Sequence, residues 1–285
     1  MLDLQDLTVP KDLYEDCINR KKADEQSLKT EKDIKRNKNI ITFLSEEQKD
    51  QTESQLRIME FLKSKLHSFF EKIEDEGGVS VFLVQYCLFP RMMFSPTDAL
   101  YSINFLKLLV QLKVPKINVL NICAQIIKGI IPTIHSCTNN ESENLGIFFM
   151  EWFYMIDRWT NKEIWKKECS DYSGFSQVVG NPTNIVSYEY YLRKIVEPIH
   201  TRFSQFLRVC FQNPKEQMMK TRAAMKILFR IKSVFPKQRA IAEPIMDELN
   251  KIIAMKDQIS QDIYTLAHGY HKELTKLFPK PKVVE

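Results

Sequence analysis

Residues 95–115 read SPTDALYSINFLKLLVQLKVP, and this stretch announces a helix from both ends. Ser95 suits an N-cap, Pro96 suits the first helical position, and Asp98 puts a carboxylate in the first turn, where backbone N–H groups lack partners. The helix is expected to run to about Lys113. Val114-Pro115 stops it, because the residue before a proline is driven out of the α region. Downstream the same grammar repeats. A helix is expected over about 117–136, kinked or shortened by Pro132. Asn139 to Asn144 reads as a polar turn before a very apolar helix at 142–159, and a short helix follows at about 162–169. Ser187 caps a helix to about 211, bent near Pro198. Asn213-Pro214-Lys215-Glu216 again reads as cap, proline and acid, opening a helix to about 235. Further helices are expected at about 237–255 and 260–277, and Pro279 and Pro281 close the ordered part. Between 170 and 186 lies the one substantial loop, with Gly174, Gly180 and Pro182.

Upstream, residues 10–76 read as two long, mostly solvated helices. Pro10 stands where a first turn tolerates it, and 11–39 is dominated by Lys, Glu and Asp. Ser45-x-x-Gln48 fits a capping box opening the second helix. That helix gains an apolar stripe of Leu56, Met59, Leu62 or Lys63, Leu66, Phe69 or Phe70, and Ile73, so one face is expected to be buried. Gly77-Gly78 is expected to end it. A helical hairpin projecting from a body is the simplest reading; for 11–45 a disordered charged arm is the alternative.

Composition agrees with helices throughout. Only 7 of 285 residues are Gly, and Gly supplies the positive-φ turns of hairpins, bulges and nucleotide loops. That scarcity argues against a sandwich, a barrel or a doubly wound nucleotide binder. No GxGxxG, GxxxxGK or GxSxG occurs. The fold class expected is all-α. Helices of about 15–25 residues joined by short turns suggest stacked antiparallel pairs. No fixed repeat period is present, which argues against tetratricopeptide or ankyrin arrays. The expectation is an irregular HEAT-like α-solenoid over 80–278, preceded by a long charged helical hairpin over 1–79 and followed by a tail at 279–285. Residues 1–79 carry a net charge of −4 and residues 80–285 a net charge of +9.

The six cysteines (17, 87, 123, 137, 169, 210) are scattered without a CxxC pair. They read as reduced thiols, mostly core filling, in a cytosolic or nuclear setting. The N-terminus has neither basic n-region nor apolar h-region, so no signal peptide is expected. The most apolar stretches, 119–134 and 146–156, are interrupted by Lys128 and Pro132 or too short, so no membrane span is expected.

No catalytic or metal site and no cofactor is expected. His268 and His271 could share a helix face but lack two further ligands nearby. Paired carboxylates such as Glu71 with Asp75 and Asp247 with Glu248 sit among lysines, as solvated helix faces do. The aromatic clusters Phe69-Phe70, Phe148-Phe149, Trp152-Phe153-Tyr154 and Tyr188, Tyr190, Tyr191 read as core. The basic span 193–239 is more informative: 12 Lys and Arg against 2 Glu. Lys215, Arg222, Lys226 and Arg230, spaced 7, 4 and 4, would form one stripe on the helix after Pro214. Such a ridge could contact phosphates or an acidic protein surface; a solvated basic face compensated by other helices is the alternative. No groove-reading module is present.

Several strings resemble the THO complex subunit 2 family. They are Leu88-Phe89-Pro90-Arg91, Phe94-Ser95-Pro96-Thr97-Asp98-Ala99-Leu100-Tyr101, Ser136-Cys137-Thr138-x-Asn140-Glu141, Arg158-Trp159 and Lys167-Glu168-Cys169. Tyr172-x-Gly174-Phe175, Tyr188-Glu189-Tyr190, Arg222 through Pro236, and Ile263-Tyr264-x-Leu266-Ala267-x-Gly269-Tyr270 continue the series in the same order. Leu7-Thr8-Val9-Pro10 and Tyr14-Glu15 precede it. The loop 170–186 is shorter than the family pattern. The resemblance implies a helical, non-enzymatic scaffold segment of a nuclear assembly that couples transcription elongation to mRNA processing and export. Implied partners are the other THO subunits and a DEAD-box RNA helicase, with no small-molecule substrate. An RNA or DNA backbone could be contacted through the basic ridge, which supports the alternative of an independent nucleic-acid-binding module. The chain resembles a fragment of the C-terminal half of a much larger subunit. The family's initiation-factor-type middle domain and basic tail would lie outside it. Physically, Leu88, Phe89, Phe94, Leu100 and Tyr101 would pack a corner between helices. Arg91 in the break would hydrogen-bond the carbonyls of a helix end, with a partner contact as its alternative role.

Overall fold

A computed structural model describes residues 4–25, 30–70, 76–178, 181 and 183–279. The chain divides into two compact units, Met1–Glu71 and Lys72–Glu285. Every named element among the described residues is helical; the nearest approach to a strand is an isolated antiparallel bridge between Ser176 and Ile185.

In the first unit, α1 (Leu4–Leu7) and α2 (Lys11–Glu25) pack on α3 (Glu31–Phe70), a helix of 40 residues. The turn falls before Glu31, not near Ser45 as expected. The Thr30 side chain accepts from Asp33 N at 3.2 Å, as an N-cap does. Ser45 lies inside α3 and donates to Ile41 O at 2.8 Å. With no Gly or Pro between 31 and 70, nothing stops the helix there, and the Ser hydroxyl is satisfied by the carbonyl one turn back. Asn37 Nδ2 donates to Lys21 O at 2.6 Å, and Gln55 Nε2 donates to Leu7 O at 2.8 Å, tying α2 and α1 to successive parts of α3. None of the described members of the expected buried stripe is buried. Leu56 is 58% exposed, while Met59 and Leu62 are half-buried. Two short helices cannot cover a 40-residue helix, and Leu7, Ile18 and Asn37 are the buried side chains among this unit's described residues. The side chains of Leu66, Phe69 and Phe70, and all of Ile73, lie outside the described residues.

In the second unit, α4 (Glu76–Phe82) contains Gly77 and Gly78 in its first turn, so this pair does not terminate a helix. A π-helical turn (Leu83–Leu88) leads into α5 (Phe89–Phe94), and Ser95 then caps α6 (Pro96–Gln111) by accepting from Asp98 N at 3.1 Å. Next come α7 (Val119–Gln125), a π turn (Ile126–Ile130) and a 3-10 turn (Ile131–Ser136). The long α8 (Asn139–Arg158) starts three residues earlier than expected. Thr138 and Glu141 form a full capping box, Thr138 N donating to Glu141 at 2.7 Å, so the polar run 139–144 is the first helical turn. The backbone N–H of Thr138, and then its side chain, hold the Glu141 carboxyl below its usual range. Then follow α9 (Lys162–Glu168), α10 (Tyr188–Tyr190), a π turn (Tyr191–Val196) and α11 (Glu197–Phe211). The chain ends with α12 (Met218–Arg230), α13 (Arg239–Ala254) and α14 (Gln261–Leu277).

The three π turns share one cause. Each ends two residues before a proline: Pro90, Pro132 and Pro198. The residue between donates its N–H five residues back, Phe89 to Val84, Ile131 to Ile126 and Glu197 to Leu192. A proline ring clashes with the carbonyl four residues earlier and offers it no donor. Widening the preceding turn moves that carbonyl aside while keeping the helix going. Pro244, about one turn into α13, is accommodated without one.

The core is centred on α8, which packs most extensively on α12 and α6. Gly146 permits the close crossing: a Cβ there would sit 3.0 Å from Arg230 Cβ. Phe148, Phe149, Trp152 and Phe153 are fully buried, and Phe153 meets Phe203 edge-on at 5.2 Å and stacks on Phe235 at 5.4 Å. Tyr154 points outward, 46% exposed, so the aromatic run 152–154 is core at two of three positions. A second ring cluster joins Trp159, Trp165, Phe175 and Tyr191. By length and apolarity alone, Gly77–Phe94 and Val119–Ser136 could each cross a membrane; the second buries Ile122, Ile126, Ile130 and Ile134 in this core.

The loop 170–186 clamps the turn between α6 and α7. Lys113 and Lys116 there have φ of 49° and 64°, a costly left-handed conformation for side chains of this kind. The Tyr172 hydroxyl donates toward Val114 O at 2.9 Å and Ile117 O at 3.3 Å. Asn118, the N-cap of α7, donates to Ser176 O at 2.9 Å. Cys123, Cys137, Cys169 and Cys210 are buried free thiols, as core filling requires, whereas Cys17 and Cys87 are exposed. Burial pushes the Cys123 and Cys210 thiols up to about 12.

Candidate interaction surface

The expected basic stripe maps onto α12, with one correction. Asn213-Pro214 does not open this helix. Asn213 has φ of 53°, a left-handed turn residue, whereas an N-cap needs extended backbone. The helix begins one turn later, so Lys215 lies in the preceding turn and not in register with Arg222, Lys226 and Arg230. It also ends at Arg230, short of 235, where Ile231 leaves the helical region with φ of −88° and ψ of 7°. Thr221, Ala224, Met225 and Leu228 face inward, and Thr221 Oγ1 donates to Cys210 O at 3.0 Å.

Two members of the stripe are paired. Arg222 forms a two-pronged ion pair with Asp262 of α14 and reaches Ser260 Oγ at 3.2 Å. The guanidinium holds the Asp262 carboxyl down to about 2. Lys226 Nζ lies 2.6 Å from Glu143 of α8. Lys215 and Arg230 are exposed, as are Arg193, Lys194, Arg202 and Lys232. The structure therefore brings Arg222, Lys226 and Arg230 to one helix face, staples the first two to neighbouring helices, and leaves Lys215 off the line.

Arg91 does not reach a helix-end carbonyl. Its Nε donates to Asp98 Oδ1 at 2.9 Å, and its guanidinium carbon sits 3.4 Å over the Tyr101 ring. Asp98 also accepts from Ser95 Oγ at 2.6 Å, and these partners hold its carboxyl below its usual range. The Leu88–Tyr101 corner is thus a fastener between α5 and α6. Leu88 is buried in it, while Phe94, expected to pack there, is 85% exposed.

Among the described residues no three His, Cys, Asp or Glu side chains converge as metal ligands. His268 stacks on Tyr264, and burial together with His268 lowers the pKa of His271. Glu248 is paired with Lys251 at 3.0 Å. Glu71 and Asp75 lie outside the described residues.

The family described as transcription factor/nuclear export subunit protein 2 (Tho2) matches residues 1–274. The chain belongs to this family. Relatives within Tho2 include the THO complex subunit 2 of Mus musculus, 27% identical over 290 residues, covering 96% of this chain and 18% of the mouse protein. That of Arabidopsis thaliana is 27% identical over 293 residues, covering 98% of this chain and 16% of its own length. That of Saccharomyces cerevisiae is 36% identical over 93 residues, covering 32% of this chain and 6% of its own. The chain therefore spans less than a fifth of the length of these curated relatives.

Proposed function

We propose that the chain is a non-enzymatic scaffold segment of a THO complex, at home in the nucleus, where it organises other THO subunits and a DEAD-box RNA helicase for mRNA packaging and export. The observation that carries this reading is the Tho2 match along residues 1–274. The helices of the second unit supply the physical basis: stacked as an irregular HEAT-like solenoid of antiparallel pairs, they would present long faces to neighbours. Exposed aromatic rings mark a candidate contact. Phe82, Tyr86 and Phe94, on α4 through α5, are 61%, 68% and 85% exposed. Apolar surface of this kind marks protein contacts more often than free solvent surface, and in this reading another THO subunit covers it. Arg91, already engaged by Asp98 and Tyr101, would then shape the edge of that contact.

The test is affinity capture from nuclear extract, with and without nuclease, using the full-length parent and this chain as baits. The parent is expected to keep other THO subunits and the helicase after nuclease, and this chain a subset of them. Recovery of RNA-dependent partners alone by both baits would overturn the scaffold reading.

A second reading, nucleic-acid binding through the ridge 193–239, draws on the exposed Lys215, Arg230, Arg193 and Lys194. It is the weaker of the two because Arg222 and Lys226 already have acid partners. If the ridge binds RNA, affinity should fall steeply between low and physiological salt, and Lys215→Glu with Arg230→Glu should remove about two phosphate contacts from the salt slope. Filter binding of labelled RNA checks this; an unchanged slope in the double variant would rule the ridge out as the RNA site.

A further inference from the structure

At the C-terminal end of α8 the second unit opens into a cleft of about 960 Å³. Five cations line it, Lys107, Lys113, Arg158, Lys167 and Lys237, with two carboxylates, Asp157 and Glu168; two further acids, Glu151 and Asp171, pair with Lys107 and Lys113 from beside it, so five cations meet four acids. The cations come from α6, the turn after it, α8, α9 and the loop before α13, so distant parts of the sequence converge here. The end of a helix attracts cations because its last carbonyls lack partners. That explanation is insufficient at α8. Thr160 N donates to Asp157 O at 3.0 Å, Asn161 N to Arg158 O at 3.3 Å, and the Tyr191 hydroxyl to Ile156 O at 2.9 Å. Three of the last four carbonyls, those of 156, 157 and 158, are satisfied without the cations.

What holds the cations is a set of resident carboxylates. Lys107 lies 2.6 Å from Glu151, Lys113 pairs with Asp171, and Arg158 pairs with Glu168. Asp157, its side chain only 8% exposed, faces Lys237 Nζ at 2.6 Å, near enough for an ion pair though not aligned as a hydrogen bond. Lys237 and Arg158 remain about half exposed, so their heads stay available at the mouth. Between the charges, the half-exposed Tyr154 ring and the edges of the largely buried Val110, Met155 and Trp159 form an apolar floor.

We propose that this cleft takes a short acidic peptide segment of another protein, with apolar side chains interleaved among its carboxylates. Spaced carboxylates can share the cations with the resident acids, and the apolar side chains can cover the floor, which together give both orientation and affinity. A phosphodiester chain suits it less: its charges repeat at every unit and would face Asp157 and Glu168, and the buried Trp159 offers no free ring for stacking. The inference stands on the cleft alone and does not depend on the assembly reading above.

The test is fluorescence anisotropy with the full 285-residue chain and three labelled probes: a peptide alternating Asp or Glu with Leu or Phe, its Lys-for-acid counterpart, and oligo(U). The acidic peptide is expected to bind saturably and the basic one not at all. Lys113→Glu with Lys167→Glu should raise its Kd about tenfold or more, the neutral pair Lys113→Gln with Lys167→Gln should give a smaller rise, and Lys128→Glu with Lys272→Glu, exposed outside both the cleft and the basic span 193–239, should leave it unchanged. Circular dichroism and thermal melting verify that the variants fold. Absence of saturable binding, or equal weakening by both reversal pairs, would overturn the proposal. So would oligo(U) binding that responds to the cleft variants while the acidic peptide does not.

Discussion

Phe153→Ala is expected to destabilise the second unit by about 3–5 kcal/mol, the range for deleting a large ring from a core that cannot collapse around the hole. Phe153 is fully buried, and four rings surround it: Trp152 at 5.3 Å, His200 at 5.0 Å, Phe203 at 5.2 Å and Phe235 at 5.4 Å between centroids. Those rings belong to α8, α11 and the segment after α12. No single helix can shift to fill the space without opening another contact, so the cavity persists. Edge-on and stacked ring pairs add about 0.5–1.5 kcal/mol each beyond simple burial. For a unit of this size, each kcal/mol lowers the midpoint by roughly 2–4 °C, so thermal melting should show a fall of about 6–20 °C. Tyr154→Ala is the matched control one residue along, half-exposed on α8, with a single side-chain bond to Ser233 Oγ at 3.2 Å. It should cost less than about 1 kcal/mol. Equal losses at 153 and 154 would mean that this ring cluster is not where the unit's stability resides.

The contrast between those neighbours shows what a one-dimensional reading could see. The aromatic run 152–154 announces a core, but which ring turns outward depends on the partners of α8, and they come from residues 203 and 235. Helix starts were legible at Ser95 and Ser187, where a capping side chain meets extended backbone, but not at Thr138, which does the same and whose polar first turn looked like a loop. They were misread where the same residue types serve other ends. Ser45 bonds back to its own helix, and Asn213 takes a left-handed turn. Gly77-Gly78 looked like a stop because glycine favours helix ends, yet Gly77 O accepts from Asn121 Nδ2 at 3.3 Å, a tertiary contact that sequence spacing cannot reveal. The prolines at 90, 132 and 198 were visible, but the π turns that absorb them were not.

The charged surface was legible as composition and not as geometry. Net positive charge in 193–239 is plain from counting, but whether a cation is free depends on acids far away in sequence. Asp262 and Glu143 answer Arg222 and Lys226 across 40 and 83 positions. The cleft below α8 was missed altogether, since Lys107, Lys113, Arg158, Lys167 and Lys237 share no spacing. Its one local signal was Arg158-Trp159 with Lys167-Glu168, and these meet: Glu168 accepts from Arg158 and from Trp159 Nε1 at 3.1 Å.

Gly174→Ala should be the second large effect, about 3 kcal/mol or more, from a single added methyl. A Cβ at 174 would sit 2.5 Å from two carbons of the Tyr172 ring and 2.8 Å from Ile117 O. Overpacking usually costs about 1–3 kcal/mol because side chains step aside. Here neither neighbour can. Ile117 O is backbone, and the Tyr172 ring is pinned by its hydroxyl to Val114 O and Ile117 O. Moving the ring would strip buried carbonyls of their donor, a further penalty of about 1–3 kcal/mol. It would also release the turn that holds Lys113 and Lys116 at positive φ. Gly129→Ala supplies the comparison, since a Cβ there meets nothing within 4 Å; it should be neutral or stabilise by up to about 1 kcal/mol, as Ala replaces Gly in a helix. A double-mutant cycle separates clash from other causes. Tyr172→Ala alone removes the clasp and should itself destabilise, but Gly174→Ala added to it should cost less than in the wild-type background, since only the 2.8 Å approach to Ile117 O remains, giving a coupling of about 1 kcal/mol or more. Denaturant melts of the four proteins read this directly. Simple additivity would mean that the Tyr172 ring is not what excludes a side chain at 174, and that the loop 170–186 does not hold the α6–α7 turn in the way its hydrogen bonds imply.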